Sequence, residues 1–236
     1  MNRYMETNTG SATSVPSPLV YLDQFQKHLH SIYGVTVPHA VSDFVTTDQS
    51  LVSALTNGDR DHIKEKLLVL ENGENLDLSL YLHTSVVESL HALPLHHQLE
   101  PENLENLCLA IEGISHFLYL VWRAMRQHEV SLLELELQAE VDKYIVLLSL
   151  LLQMKKYNRI PDLHYMLFEA IRFDDALKPY EETRYRKANH YAGKYCRLFE
   201  REYLDEFGSY QMYSELRGFY RLGQNEKLRR IVNYSM

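Results

Sequence analysis

The fold of this chain is decided by residues 101–157, which read PENLENLCLAIEGISHFLYLVWRAMRQHEVSLLELELQAEVDKYIVLLSLLLQMKKY. Apolar residues recur every three or four positions on both sides of a short polar stretch near residue 130, which is typical of two amphipathic helices. Pro101 suits the first turn of a helix, because its missing N–H is not needed there. Ser131, with Glu134 three residues later, predicts a capping box at the start of the second helix. The short connection predicts an antiparallel helix hairpin.

Helical patterns also occur on both sides of this hairpin. They cover residues 19–33, 38–55, 162–177 and 180–207, followed by two short helices joined at Leu222-Gly223-Gln224. Polar and apolar residues alternate near 66–83 and predict a small β-hairpin, since Asn72-Gly73 suits a tight turn. A helix beginning at Leu76 is the alternative. We therefore expect a mainly α fold, a single-domain helical bundle over residues 19–236, preceded by a flexible Ser- and Pro-containing tail over residues 1–18.

The two cysteines and the apolar segments predict a cellular environment. Cys108 and Cys196 form no CxxC pair, so neither a disulfide framework nor a zinc site is predicted. The longest apolar run, 145–152, is far shorter than the roughly 20 residues that a membrane-spanning helix needs. The first residues lack the basic and apolar regions of a secretory signal. We expect a cytoplasmic protein without a membrane segment.

Charge is distributed unevenly along the chain. Residues 1–177 carry 12 basic and 24 acidic residues, whereas residues 178–236 carry 12 basic and 8 acidic residues together with nine of the 17 tyrosines. Because Tyr and Arg are enriched at binding hot spots, this basic, Tyr-rich part is predicted to bind a protein partner. The alternative is that it packs on the acidic body of the same chain. The predicted partner-binding residues are Arg217, Tyr220, Arg221, Arg229 and Arg230.

Polar residues form a stripe on each helix of the central hairpin. On the first helix they recur at spacings of four, three and four, and on the second at four and three, which places each set on one face. The stripes consist of Glu112, His116, Tyr119 and Arg123 on the first helix and of Glu136, Glu140 and Lys143 on the second. A turn centred near residue 130 predicts three facing pairs, namely Arg123 with Glu136, Tyr119 with Glu140, and His116 with Lys143.

Two interpretations of these stripes remain open. The first is a structural network of ion pairs, because buried charges must be paired or bound to metal. The second is a di-iron or di-manganese carboxylate site, formed inside the bundle by Glu112, His116, Glu136 and Glu140. The Glu-x-x-His signature of such bundles occurs only at Glu88–His91, so this interpretation rests on residue types rather than on spacing.

Other catalytic patterns have less support in the sequence. A class of RNA-cleaving helical bundles pairs an Arg with a His on one helix, and Arg123/His128, Arg159/His164 and Arg184/His190 have that spacing. The acidic body argues against a nucleic-acid substrate. The sequence therefore favours a non-enzymatic interaction or regulatory protein without a cofactor, with homo-oligomerisation open. The alternative is a metal-dependent enzyme that uses iron or manganese.

Overall fold

The computed structural model describes most of the chain, and the flexible tail predicted for residues 1–18 lies outside the described part, as does Pro101. The described residues are 19–55, 63–72, 75–92, 97, 99–100, 103–171, 173 and 177–233. Helices account for 71% of the structure, which confirms the mainly α fold. Within these ranges the α-helices are α1 Leu19–Tyr33, α2 Gln49–Leu55, α3 Thr84–Ala92, α4 Leu104–Ala124, α5 Leu132–Gln153, α6 Ile160–Phe168, α7 Pro179–Tyr203, α8 Tyr210–Arg221 and α9 Gln224–Asn233.

Helices α4 and α5 form the predicted hairpin at the centre of the fold. Helix α4 ends at Ala124, and Gln127 then adopts a positive φ of 56°, which an α-helix does not accommodate. Ser131 caps α5 as predicted, because its Oγ accepts a hydrogen bond from the Glu134 N–H at 3.1 Å. The predicted capping box is wrong in one respect, since the Glu134 carboxylate bonds the Tyr119 hydroxyl in the protein interior instead of the Ser131 N–H.

The predicted β-hairpin is confirmed as β2 Glu65–Asn72 and β3 Asn75–Leu82, which pair antiparallel. A third strand, β1 Val45–Thr46, pairs parallel with the other edge of β3. The helix predicted for 38–55 is therefore wrong over its first half, where a 3-10 turn and this strand lie. An isolated two-stranded hairpin is marginally stable in water, so this pairing and packing against α4 stabilise it.

The main hydrophobic core contains side chains from every α-helix except α2. Val52 of α2 packs with Leu68 and Tyr81 in a second, smaller cluster. Helices α4 and α5 are buried on nearly every side, and Phe117 and Val146 are fully inaccessible to solvent. By length and composition α4 could cross a membrane, and 67% of its most apolar 18-residue stretch is buried inside the protein. The polar side chains of this hairpin are therefore held deep within the fold.

Candidate metal centre

A carboxylate and histidine cluster lies where β2 packs against α4. Glu65 comes from the first position of β2, while Glu112 and His116 lie one turn apart on α4. One ligand atom from each of the three side chains lies within 4.8 Å of the other two. We call this set, together with the adjacent Glu136 and Glu140 of α5, the acidic centre.

The His116 ring lies between two carboxylates of the acidic centre. Its Nδ1 is 3.3 Å from Glu65 Oε1, and its Nε2 is 3.4 Å from Glu136 Oε2. Only 7% of the His116 side chain is exposed, and within the described residues its Nε2 makes no hydrogen bond of normal geometry. Burial opposes the charged imidazolium, but Glu65 and Glu136 outweigh burial and raise the pKa of His116 well above its usual value.

Two basic side chains balance part of the negative charge. The Lys143 ammonium donates hydrogen bonds to Glu112 Oε2 and Glu140 Oε1, each at 2.9 Å. On the other side of the centre, the Arg184 Nε of α7 lies 3.5 Å from Glu136 Oε1. The acidic centre thus contains four carboxylates, Glu65, Glu112, Glu136 and Glu140, but two permanent cations. The remaining negative charge can be balanced by a proton or by a metal ion.

The pKa values of the carboxyls reflect this crowding. Burial raises the pKa of Glu65, and the nearby His116 offsets the rise only in part. Burial likewise raises the pKa of Glu140 against the opposing effect of Lys143. Burial also acts on Glu112, but Lys143 and His116 together bring its pKa below the usual value. A bound cation would relieve the repulsion that these buried carboxylates exert on one another.

Gly113 allows β2 and β3 to approach α4 closely at this point. A Cβ atom built on Gly113 would lie 2.9 Å from Leu80 Cδ1, 3.2 Å from Glu65 Cγ and 3.3 Å from Glu65 Oε1. Real Cβ atoms do not tolerate such contacts without a shift of the neighbour. The absence of a side chain at Gly113 therefore sets the distance between Glu65 and the two ligands on α4.

The predicted site residues separate into two groups in the structure. Those that come together in or beside the acidic centre are Glu112, His116, Glu136, Glu140 and Lys143. Tyr119 and Arg123 instead contact Glu134, at 2.5 Å and 3.4 Å. Sequence reasoning missed Glu65 and Gly113, and it named Arg184 only as part of an Arg/His pair. The available signal was Gly113, since a glycine within an apolar helix often marks a close approach of another segment.

The three predicted facing pairs are wrong. Arg123 pairs with Glu134 rather than Glu136, and His116 lies against Glu136 rather than Lys143. The reason is that α4 ends at Ala124 and α5 begins at Leu132, so the turn is centred near residue 128 instead of 130. Moving the centre by this amount shifts the facing positions by about one helical turn.

A second polar network lies deeper in the core and connects α5 to α9. Lys227 of α9 is fully buried and donates hydrogen bonds to the Tyr119 hydroxyl at 2.9 Å and to Gln138 Oε1 at 2.6 Å. The Gln138 amide in turn donates to Asp142 Oδ1 at 2.7 Å. Burial lowers the pKa of Lys227 to about 7, although Glu134 and Asp142 oppose the shift. Titration of Lys227 is therefore expected to make the free energy of unfolding depend on pH.

Replacing Lys227 with methionine is expected to make the stability of the protein less dependent on pH above neutrality. In the folded protein Lys227 titrates near 7, whereas the usual value is 10.5. Between pH 7 and 10.5 Lys227 is protonated in the unfolded chain but neutral in the folded protein. The free energy of unfolding of the wild type therefore rises with pH relative to that of Lys227→Met, by up to about 1.4 kcal/mol per pH unit. Below pH 7 the lysine is charged in both states and this gain is absent.

Urea unfolding of both proteins at pH 7, 8 and 9 measures this difference. Lys187→Met, a change at an exposed lysine of α7, is the control and should follow the wild type at every pH. Parallel pH profiles for Lys227→Met and the wild type would contradict the prediction.

The predicted partner-binding residues are largely engaged within the chain. Tyr220 is fully buried and stacks on Tyr33 with ring centroids 4.1 Å apart, so its assignment to a partner surface is wrong. Arg217 donates to the Ile32 carbonyl, and Arg221 donates to the carbonyls of Tyr33 and Gly34, where basic groups complement the C-terminal end of α1.

The other two predicted partner-binding residues lie on α9. Arg230 forms an ion pair with Glu215, whereas Arg229 is exposed. The basic C-terminal helices thus hold α1 and the central hairpin together, which was the alternative open from the sequence.

Comparison with known proteins gives no further guide to this arrangement. No family model, no curated protein and no solved structure matches the chain. A function must therefore be inferred from the residues of the acidic centre themselves.

Proposed function

We propose that this chain binds a divalent metal ion at the acidic centre, through Glu65, Glu112 and His116, and that it is a metal-dependent enzyme. The observation that carries the proposal is the convergence of these three ligands within 4.8 Å of one another, on a strand and a helix that pack together. Carboxylate oxygens and an imidazole nitrogen are ligands that suit Fe(II), Mn(II) and Zn(II).

The charge of the centre supports the same proposal. The centre holds four carboxylates, Glu65, Glu112, Glu136 and Glu140, and two permanent cations, Lys143 and Arg184. A divalent ion with a neutral His116 would therefore bring the formal charge to zero. The largely buried His116 can present Nδ1 or Nε2 to an ion, since neither nitrogen has a contact shorter than 3.3 Å to a carboxylate oxygen. Metal ligation commonly replaces a proton in this way.

Three protein ligands leave coordination positions open, which is the arrangement of a catalytic rather than a structural metal. A metal ion bound there would polarise a substrate oxygen or activate a water molecule. Glu140 Oε2 is buried and has no hydrogen-bond partner among the described residues, so it is available to hold a proton. Lys143, on the other oxygen of Glu140, fixes the position of that carboxylate.

The described residues favour one metal ion over two. They contain one group of three converging ligands, Glu65, Glu112 and His116, and a second histidine of the kind that a symmetric di-metal site uses does not converge on it within the described ranges. Glu136 and Glu140 are therefore assigned to the surroundings of a single ion. Binding of a protein partner through residues 178–236 stays a prediction from the sequence.

Metal analysis of the purified protein tests the proposal. After dialysis against Fe(II), Mn(II) or Zn(II), with iron handled without oxygen, about one equivalent of at least one metal is expected to remain bound. Glu65→Gln and His116→Gln should each retain close to none, because each removes one of three ligands. Glu105→Gln is the matched control, since Glu105 is an exposed carboxylate on α4, the helix of Glu112 and His116, and within the described residues its ion pair is with Lys64.

Circular dichroism separates loss of metal from loss of fold in these variants. A folded wild-type protein without bound metal, or equal metal content in Glu65→Gln and Glu105→Gln, would overturn the proposal.

A further inference from the structure

A cleft away from the acidic centre lies between α6 and α7 and has a volume of about 660 Å³. This volume falls within the range of small-molecule sites. Arg184, which borders the acidic centre, and Arg197, which lines the cleft, are 13 residues apart on α7, or about 20 Å at the rise of an α-helix. The cleft is therefore a separate feature from the acidic centre.

Basic side chains from α7 line one wall of the cleft. They recur at spacings of four, three and four, which places them on one face of the helix. They are His190, Lys194, Arg197 and Arg201. Among the lining residues that the structure describes, Glu169 is the one acidic residue, so with neutral histidines their formal charge is +2. This positive wall contrasts with the net charge of −8 for the whole chain.

The floor of the cleft is held by buried polar groups. His164 is 5% exposed, and its Nε2 donates to the Gly193 carbonyl at 2.9 Å. Asn189, which is also 5% exposed, donates to the Leu167 carbonyl at 2.9 Å. A Cβ on Gly193 would lie 3.1 Å from Phe168, so the glycine lets α7 pack directly on that ring. Phe168 therefore contributes a packed aromatic surface to the lining of the cleft.

The contacts of the cations show how an anion would be accommodated. Lys194 is exposed, and its ammonium forms no ion pair within the described ranges of the chain. Arg197 donates to Glu169 Oε1 at 2.9 Å, and the same oxygen lies 3.4 Å from His164 Nδ1. Arg201 bonds the neighbouring Glu202 outside the lining. An incoming anion would thus meet Lys194 directly and compete with Glu169 for Arg197.

We propose that the cleft between α6 and α7 binds a small phosphate-bearing molecule, with its phosphate on Lys194 and Arg197 and its planar or apolar part on Phe168. A phosphate offers several acceptor oxygens and about two negative charges, which match the donors of an arginine and a lysine on one helix face. The aromatic floor favours a nucleoside monophosphate over inorganic phosphate, because a base can stack on an aromatic ring.

Isothermal titration calorimetry of the full chain with AMP, and separately with inorganic phosphate, tests this proposal. AMP is expected to bind at one site and more tightly than inorganic phosphate. The double variant Lys194→Glu/Arg197→Glu should weaken AMP binding at least about tenfold, because it replaces two attractive charges with repulsive ones. Arg229→Glu is the matched control on another helix, at an exposed position outside the lining, and should change the affinity less than about twofold.

Two further variants make the test specific. Glu169→Gln should tighten AMP binding several-fold, because it removes the carboxylate that competes for Arg197. Glu65→Gln should leave AMP binding unchanged, because the acidic centre lies elsewhere. If the double variant does not fold, Arg197→Gln serves in its place. The proposal is overturned if AMP gives no binding, if inorganic phosphate binds as tightly as AMP, or if the cleft variants bind AMP like the wild type.

Discussion

Replacing Asp142 with alanine is expected to lower the free energy of unfolding by about 3–5 kcal/mol. Asp142 is fully buried and accepts hydrogen bonds from three side chains on three helices. The donors are the Tyr33 hydroxyl, the Ser115 hydroxyl at 2.5 Å and the Gln138 amide at 2.7 Å. Alanine would leave all three without this acceptor and would remove a negative charge near Lys227.

The charge of Asp142 contributes less than its hydrogen bonds do. Burial raises the pKa of Asp142 to about 6, against the opposing effect of Ser115, Tyr33 and Gln138, so the neutral carboxyl is already populated in mildly acidic solution. Asp142→Asn keeps the size and one acceptor oxygen and should therefore destabilise the protein clearly less than Asp142→Ala. Urea unfolding at pH 7 measures both variants. A loss below about 1 kcal/mol for Asp142→Ala would show that the buried donors find other partners.

Replacing Gly113 with alanine is expected to disrupt the acidic centre although none of its ligands is replaced. The new Cβ would lie 3.3 Å from Glu65 Oε1 and 2.9 Å from Leu80 Cδ1, so the side chains of Glu65 and Leu80 must shift. Shifting a supporting contact of a metal site typically lowers metal affinity about 10–100-fold. Overpacking should also cost stability, by about 1–2 kcal/mol after the gain in helix propensity is subtracted.

Gly218→Ala in α8 is the control for this change. A Cβ on Gly218 would meet only Arg230 Nη1, at 3.9 Å, so the substitution should be neutral or stabilising by up to about 1 kcal/mol. Metal titration and thermal unfolding of the two variants measure the contrast. Unchanged metal affinity in Gly113→Ala would mean that Glu65 is not held in place by its approach to α4.

The central hairpin could be predicted from sequence because its signals are local. Apolar periodicity places α4 and α5, and Ser131 marks the start of α5. The β-hairpin follows in the same way from alternation and a turn. Strand β1 could not be predicted, because two residues carry no periodicity and Val45–Thr46 becomes a strand only by pairing with β3. Tertiary contact overrode the helical pattern there.

The acidic centre was predictable in part for the same reason. The spacing of Glu112 and His116 places both on one face of α4 whatever the rest of the chain does. Glu65 lies 51 positions from His116, and no pattern within β2 indicates that its first residue meets that helix. The facing pairs between α4 and α5 depended on the position of the turn, where an error of two residues moves the register by a full helical turn.

By itself the sequence determined the mainly α fold, the central hairpin and the burial of a polar stripe along it, since these follow from periodicity and from the cost of burying charge. Only the tertiary structure decided which charges meet. In the folded protein Tyr220 and Lys227 are buried in the core, so the C-terminal helices pack against the rest of the bundle. Packing of β2 on α4 also places Glu65 beside His116, where Gly113 has no side chain to displace Glu65. The physical reason is that contacts between distant segments depend on packing distances that no local pattern contains.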